Sequence, residues 1–235
     1  MAKPPRDCQA LQFCHPLRLP ILLPLQRFHQ LPPHKPFRIP SLNSLHCDNN
    51  KHGGNMPLII YFHGGGFAWM SSNSLGAEGN LAHHVAVKAC EYEFQNLKVI
   101  GVIAIQPFLG GEERTGSEIM LVWALFIDVE LANWFWRAYL PKGSDKDHPG
   151  ANVFELKSED IMRLKFPATL VIVGGFDPLQ DWQRRYYNGL KKLGKEAYLI
   201  EYPNAFHAFY AIPMVLESRL CIKEIRDFME RQCAK

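Results

Sequence analysis

The chain has 235 residues, 47% of them apolar and 21% charged, with a formal net charge of +3. That length suffices for one domain with a sizeable core, and the composition is that of a globular protein. The charge is too small to argue for nucleic acid or an anionic membrane, and no apolar run reaches the roughly 18 residues that a membrane span requires.

Residues 1–55 differ from the rest. They hold nine of the 17 prolines, many basic residues, and only Asp7 and Asp48 as acids. Proline fixes φ and lacks a backbone N–H, so an irregular N-terminal extension is expected here. The most apolar run, Pro20 to Leu25, is broken by Pro24 and has no small-residue cleavage site, so it does not read as a secretory signal. The segment is basic and acid-poor, as organellar transit peptides are. It is also poor in serine and unable to form a long amphipathic helix, and the expected location is cytoplasmic.

Residues 56–235 read as an α/β domain. Pro57 to Phe62 is a continuous apolar run that predicts a buried strand. Asn80 to Cys90 has helical apolar spacing, and Val99 to Ile105 is a second buried strand. Residues 117–140, rich in Trp, Leu and Phe, predict helix with irregular parts. A strand over Thr169 to Val173 runs into Gly174 and Gly175, followed by an amphipathic helix over Gln180 to Leu193. Ala197 to Tyr202 reads as a strand and Val215 to Arg231 as a closing helix. Buried strands alternating with helices imply a mostly parallel sheet with helices on both faces.

Six cysteines, at positions 8, 14, 47, 90, 221 and 233, form no C-x-x-C pair. Zinc and thioredoxin-like chemistry are disfavoured, and free thiols in a reducing compartment are expected.

Three stretches carry candidate chemistry. His63-Gly64-Gly65-Gly66 follows a predicted strand, where successive glycines either turn the backbone sharply to present bare N–H groups to an anion, the favoured reading, or simply form a glycine-rich turn. Asp177 lies at the end of the strand that leads into Gly174-Gly175, where α/β proteins place working residues. An Asp before Pro also suits a helix N-cap with Pro at N1, and the local sequence fits both readings. His207 sits in the loop after the next strand, thirty positions beyond Asp177. One helix and one strand in between bring the chain from one strand end to its neighbour's.

Together, HGGG, GGFDPLQDWQRRYY and EYPNAFHAFY resemble the plant carboxylesterase branch of the hormone-sensitive-lipase-like α/β-hydrolases. QPFLGGEERT and GGFDPLQDWQ fall nearest its carboxylesterase 18 group. The similarity runs from about Pro57 to Arg231. The resemblance implies an α/β-hydrolase fold, a serine-hydrolase mechanism without cofactor or metal, and a small ester or apolar acid as ligand. It further implies that Gly64 and Gly65 supply oxyanion-hole donors, Asp177 the triad acid and His207 the base. The extended family also includes the soluble gibberellin receptor, which keeps the fold but binds a ligand without hydrolysing it.

The chain departs from that pattern in two places. The nucleophile elbow of the family reads G-D-S-A-G-G-N, and the matching run here is Ser74-Leu-Gly-Ala-Glu-Gly-Asn80, which puts Gly76 at the serine position. Only nine residues, Phe67 to Leu75, separate the glycine loop from this remnant. A strand needs about five residues and a helix about ten. A strand-helix-strand block before the elbow is therefore expected to be missing, as in an internally shortened product. Glycine has no side-chain oxygen, so Gly76 cannot form an acyl-enzyme, and little or no activity is expected. Ser72 and Ser74 lie in what is expected to be an unformed elbow.

Weaker candidates complete the reading. His83 and His84 are adjacent on a helix, about 100° apart, and make poor joint metal ligands. Glu112-Glu113-Arg114 reads as a solvated or ion-paired loop. Trp123, Trp134, Phe135 and Trp136 suit either an acyl pocket or ordinary core.

Overall fold

The structure, a computed structural model, describes residues 78–92, 99–153 and 158–235. The expected strand at 57–62, the oxyanion candidates Gly64 and Gly65, and the nucleophile position Gly76 lie outside the described residues, as do Ser72 and Ser74.

Helix α1 (Glu78–Tyr92) is followed by strand β1 (Gly101–Ile105), short helix α2 (Gly116–Met120), α3 (Val129–Tyr139) and α4 (Ser158–Arg163). Strand β2 (Ala168–Phe176), helix α5 (Gln180–Lys192), strand β3 (Ala197–Phe206), a 3-10 turn (Phe209–Ala211) and helix α6 (Leu216–Cys233) complete the order. The helical stretch expected over 117–140 is thus two helices. Capping sets their starts: Thr115 and Glu118 form a capping box on α2, and the Asp128 side chain accepts from Leu131 N at the start of α3.

The described strands form one parallel sheet in the order β1-β2-β3. Side chains alternate between its faces. Val102, Ala104, Val171 and Val173 pack on one face with Ala86 of α1 and with Trp182, Tyr186 and Leu190 of α5. Leu170 and Ile172 pack on the other with Cys221, Ile225 and Phe228 of α6. The central strand β2 is therefore covered on both sides, which explains its run of buried Leu, Val and Ile residues over 170–173. Each of the Val, Leu and Ile side chains contributes roughly 1.5–3 kcal/mol by burial. A third cluster, including Phe108, Phe135, Trp136 and Leu179, packs α3 against the loops at the carboxyl end of the sheet.

The register changes along β2 and β3. Gly174 pairs with Tyr202, whereas Phe176 pairs with Phe206, so an offset of 28 positions becomes 30 across a bulge. The bulge holds Pro203, which has no N–H to give a ladder. It presses the β3 backbone onto Gly174 and Gly175. A Cβ on Gly175 would sit 2.2 Å from the Pro203 carbonyl oxygen, and one on Gly174 would sit 2.6 Å from that of Ala205. With the earlier register Asp177 would face Ala205. With the shifted one it faces His207.

One expectation needs correction. Cys90 and Cys221 are free thiols, but Cys233 is disulfide-bonded rather than free.

Candidate active site

The carboxyl ends of β1, β2 and β3 deliver Gln106, Asp177 and His207 to one place. Asp177 is fully buried, and His207 Nδ1–H donates to its Oδ2 at 2.8 Å. A carboxylate oxygen only accepts, so this bond puts the proton on Nδ1. In the neutral imidazole Nε2 is then the basic nitrogen, the tautomer that general-base chemistry requires. The His207 side chain keeps 18% exposure, enough for reach from outside while the acid stays dry.

Asp177 makes further bonds. Gln183 Nε2 of α5 donates to Oδ2 at 2.8 Å, and Gln106 Nε2 does so at 3.2 Å. Leu179 N donates to Oδ1 at 2.9 Å, closing the turn into α5. Three of the four donors converge on Oδ2 and one reaches Oδ1. One oxygen closes the turn before α5 and the other accepts from the histidine, but α5 is N-capped at Leu179 without a side-chain bond, so the expected placing of Asp177 as N-cap with Pro178 at N1 is corrected.

Sequence reading missed Gln106 and Gln183, both buried. Gln106 Oε1 accepts from Ala208 N at 2.7 Å, and its Nε2 also donates to the Phe206 carbonyl at 3.0 Å. A glutamine directly after an apolar strand is ordinary in sequence, and its burial, visible only in the fold, is what singles it out. Phe108 lies edge-on to His207, with ring centroids 6.5 Å apart.

The weaker candidates separate. His83 is buried with Nδ1 3.0 Å from the Tyr186 hydroxyl, while His84 Nε2 lies 3.1 Å from the Pro149 carbonyl. Burial first, and the neighbouring His84 second, lower the His83 pKa to about 3. Among the described residues no three His, Cys, Asp or Glu side chains gather to hold a metal ion. Glu113 pairs with Arg185 through two bonds of 2.7 and 2.9 Å, an exposed contact outside the site. Phe135 and Trp136 are core, whereas Trp123 and Trp134 face outward. No described helix is long and apolar enough to cross a membrane.

Residues 73–211 match the family model described as alpha/beta hydrolase fold. Among curated proteins, the chain is 39% identical over 163 residues to the gibberellin receptor GID1B of Arabidopsis thaliana, covering 69% of this chain and 44% of that one. It is 30% identical over 159 residues to probable carboxylesterase 16 of Arabidopsis thaliana, covering 65% and 36%. Among solved structures, a hyperthermophilic esterase from the archaeon Pyrobaculum calidifontis aligns with a TM-score of 0.59 at 26% identity, covering 68% of this chain and 51% of that one. The carboxylesterase EstE1 from a metagenomic library aligns at 0.57 and 23%, covering 67% and 52%, which bears on the fold alone. The chain spans less than half the length of the curated relatives it matches.

Proposed function

The chain belongs to the alpha/beta hydrolase fold family, and from that membership we propose a carboxylesterase-like protein that retains its acid–base pair, Asp177 and His207, but lacks a nucleophile at Gly76. The observation that carries this reading is the 2.8 Å bond from His207 Nδ1 to the buried Asp177 carboxylate. The parent reaction is hydrolysis of a carboxylic ester. A serine hydroxyl attacks the carbonyl and gives its proton to the histidine Nε2. Backbone N–H groups, here those of Gly64 and Gly65, hold the oxyanion; the alcohol leaves with the proton from Nε2, and water, deprotonated by the same nitrogen, then attacks the acyl-serine to release the acid and free the serine. With glycine at position 76 no oxygen is present to form the covalent intermediate. Loss of a triad serine typically lowers the rate by about six orders of magnitude.

The test is turnover of a short p-nitrophenyl ester by the purified chain and by Gly76→Ser. Both are expected to show little or none, because the nine residues before the elbow are too few for the missing block. Turnover by the parent that disappears in His207→Ala overturns the inactive assignment. Substantial turnover by Gly76→Ser shows that the elbow is formed. Sequencing the transcript across codons 66 to 80 decides whether the gene encodes the block.

A second reading, a non-catalytic protein that binds a small apolar acid, draws on the 39% identity to a protein named gibberellin receptor. Saturable binding of a gibberellin to folded protein supports it, and absence of binding removes it.

A further inference from the structure

We propose that Gln106 is a positioning residue that holds His207 in register with Asp177, a role that rests on reading those two as the acid–base pair. Its carboxamide brackets the histidine. Oε1 accepts from Ala208 N on one side, and Nε2 donates to the Phe206 carbonyl on the other. The same Nε2 reaches Asp177 Oδ2, so one side chain touches the acid and both peptide neighbours of the base. Gln106 is itself anchored to the sheet, its N–H donating to the Ile172 carbonyl at 2.8 Å.

Backbone strain points to the same place. Three non-glycine residues among those described have positive φ: Gln106 at 44°, Phe126 at 68° and Ala208 at 63°. All three converge on the His207 loop. Ala208 follows the histidine, and Gln106 bonds to both of its neighbours. The Phe126 ring stacks on Phe206 with centroids 5.4 Å apart. Left-handed backbone outside glycine is uncommon and persists where the surroundings over-determine it. The bulge sets the register of β3 only as far as Phe206, and beyond that point the Gln106 amide takes over.

Gln183 provides the control, because it donates to the same carboxylate oxygen without touching the loop. The measurement is proton NMR on histidine-15N-labelled full chain, with His207 assigned by loss of its signals in His207→Asn. The His207 Nδ1 proton is expected downfield and protected from solvent exchange. In Gln106→Met its exchange should quicken roughly ten-fold, the loss of about one hydrogen bond's restraint. In Gln106→Gly, where the strained φ is relieved, the same quickening is expected. Gln183→Met should stay near the parent rate.

Exchange in both Gln106 variants at the parent rate overturns the proposal. Equal quickening in Gln183→Met also overturns it, since the effect then runs through the carboxylate alone. If neither Gln106 variant folds, Gln106 belongs to the fold rather than to the dyad, and the proposal falls. An unprotected Nδ1 proton in the parent chain is a different failure, that of the acid–base reading itself, and the role of Gln106 falls with it.

Discussion

Asp177 should be as necessary to the fold as to the site. Replacing it with alanine removes an acceptor with four donors aimed at it. Gln106 Nε2 keeps the Phe206 carbonyl, and His207, at 18% side-chain exposure, regains part of its hydration. Leu179 N and Gln183 Nε2 are left buried and unpaired. Each orphaned donor costs about 1–3 kcal/mol, so Asp177→Ala should lose roughly 3–6 kcal/mol once the void and the histidine are included. Asp177→Asn keeps one carbonyl oxygen and opposes an N–H to the remaining donors, for a loss of about 1–3 kcal/mol. Against a typical total of about 5–15 kcal/mol, the alanine variant sits close to the unfolding limit. Urea unfolding followed by fluorescence measures this. With a slope of about 2 kcal/mol/M, the midpoint should fall by roughly 1.5–3 M for alanine and by about half that or less for asparagine. An alanine variant within about 1 kcal/mol of the parent would show that these donors find other partners and that the buried network is not what holds the β2–α5 turn.

Two further outcomes follow from the packing. Gly175→Ala would place a methyl 2.2 Å from the Pro203 carbonyl, a backbone atom that cannot step aside without losing the bulge. A loss of about 3 kcal/mol or more is expected, together with disappearance of the protected His207 Nδ1 proton, and a parent-like urea midpoint would refute the tight approach. His83 governs acid sensitivity. Its folded-state pKa of about 3 lies below the ordinary 6.5, so on acidification the unfolded chain takes up this proton first. Its contribution is full above about pH 6.5 and is lost as pH falls toward 3, by up to a few kcal/mol. His83→Phe should flatten the acid limb of a stability–pH curve, and an unchanged slope between pH 6.5 and 4 would refute the assignment.

Much of the fold is legible from residue order because it depends on local rules. The run Thr169 to Val173, apolar over 170–173, predicts a buried strand, and β2 has its helices on both sides. The 3.6-residue spacing after Asp177 predicts a helix over 180–193, and α5 ends one residue earlier. Strand β3 runs four residues past its expected end because the bulge lets pairing continue. Helix α4 follows no strong apolar period and was not expected. Chemistry and order likewise singled out Asp177 and His207. That residue 76 is a glycine and that nine residues, Phe67 to Leu75, precede it after the glycine loop are facts of identity and count, and its assignment to the serine position is part of the proposal above.

Only the tertiary structure decided how the pair meets. Whether Asp177 faces His207 or Ala205 depends on two extra residues in a bulge, and a register shift leaves no periodic trace in the chain. The part played by Gln106 was equally hidden, because its partners lie 71 to 102 positions away. A glutamine after a strand is ordinary in sequence. It becomes informative only when three parallel strand ends converge and leave its amide buried between the Asp177 carboxylate and the two peptide neighbours of His207.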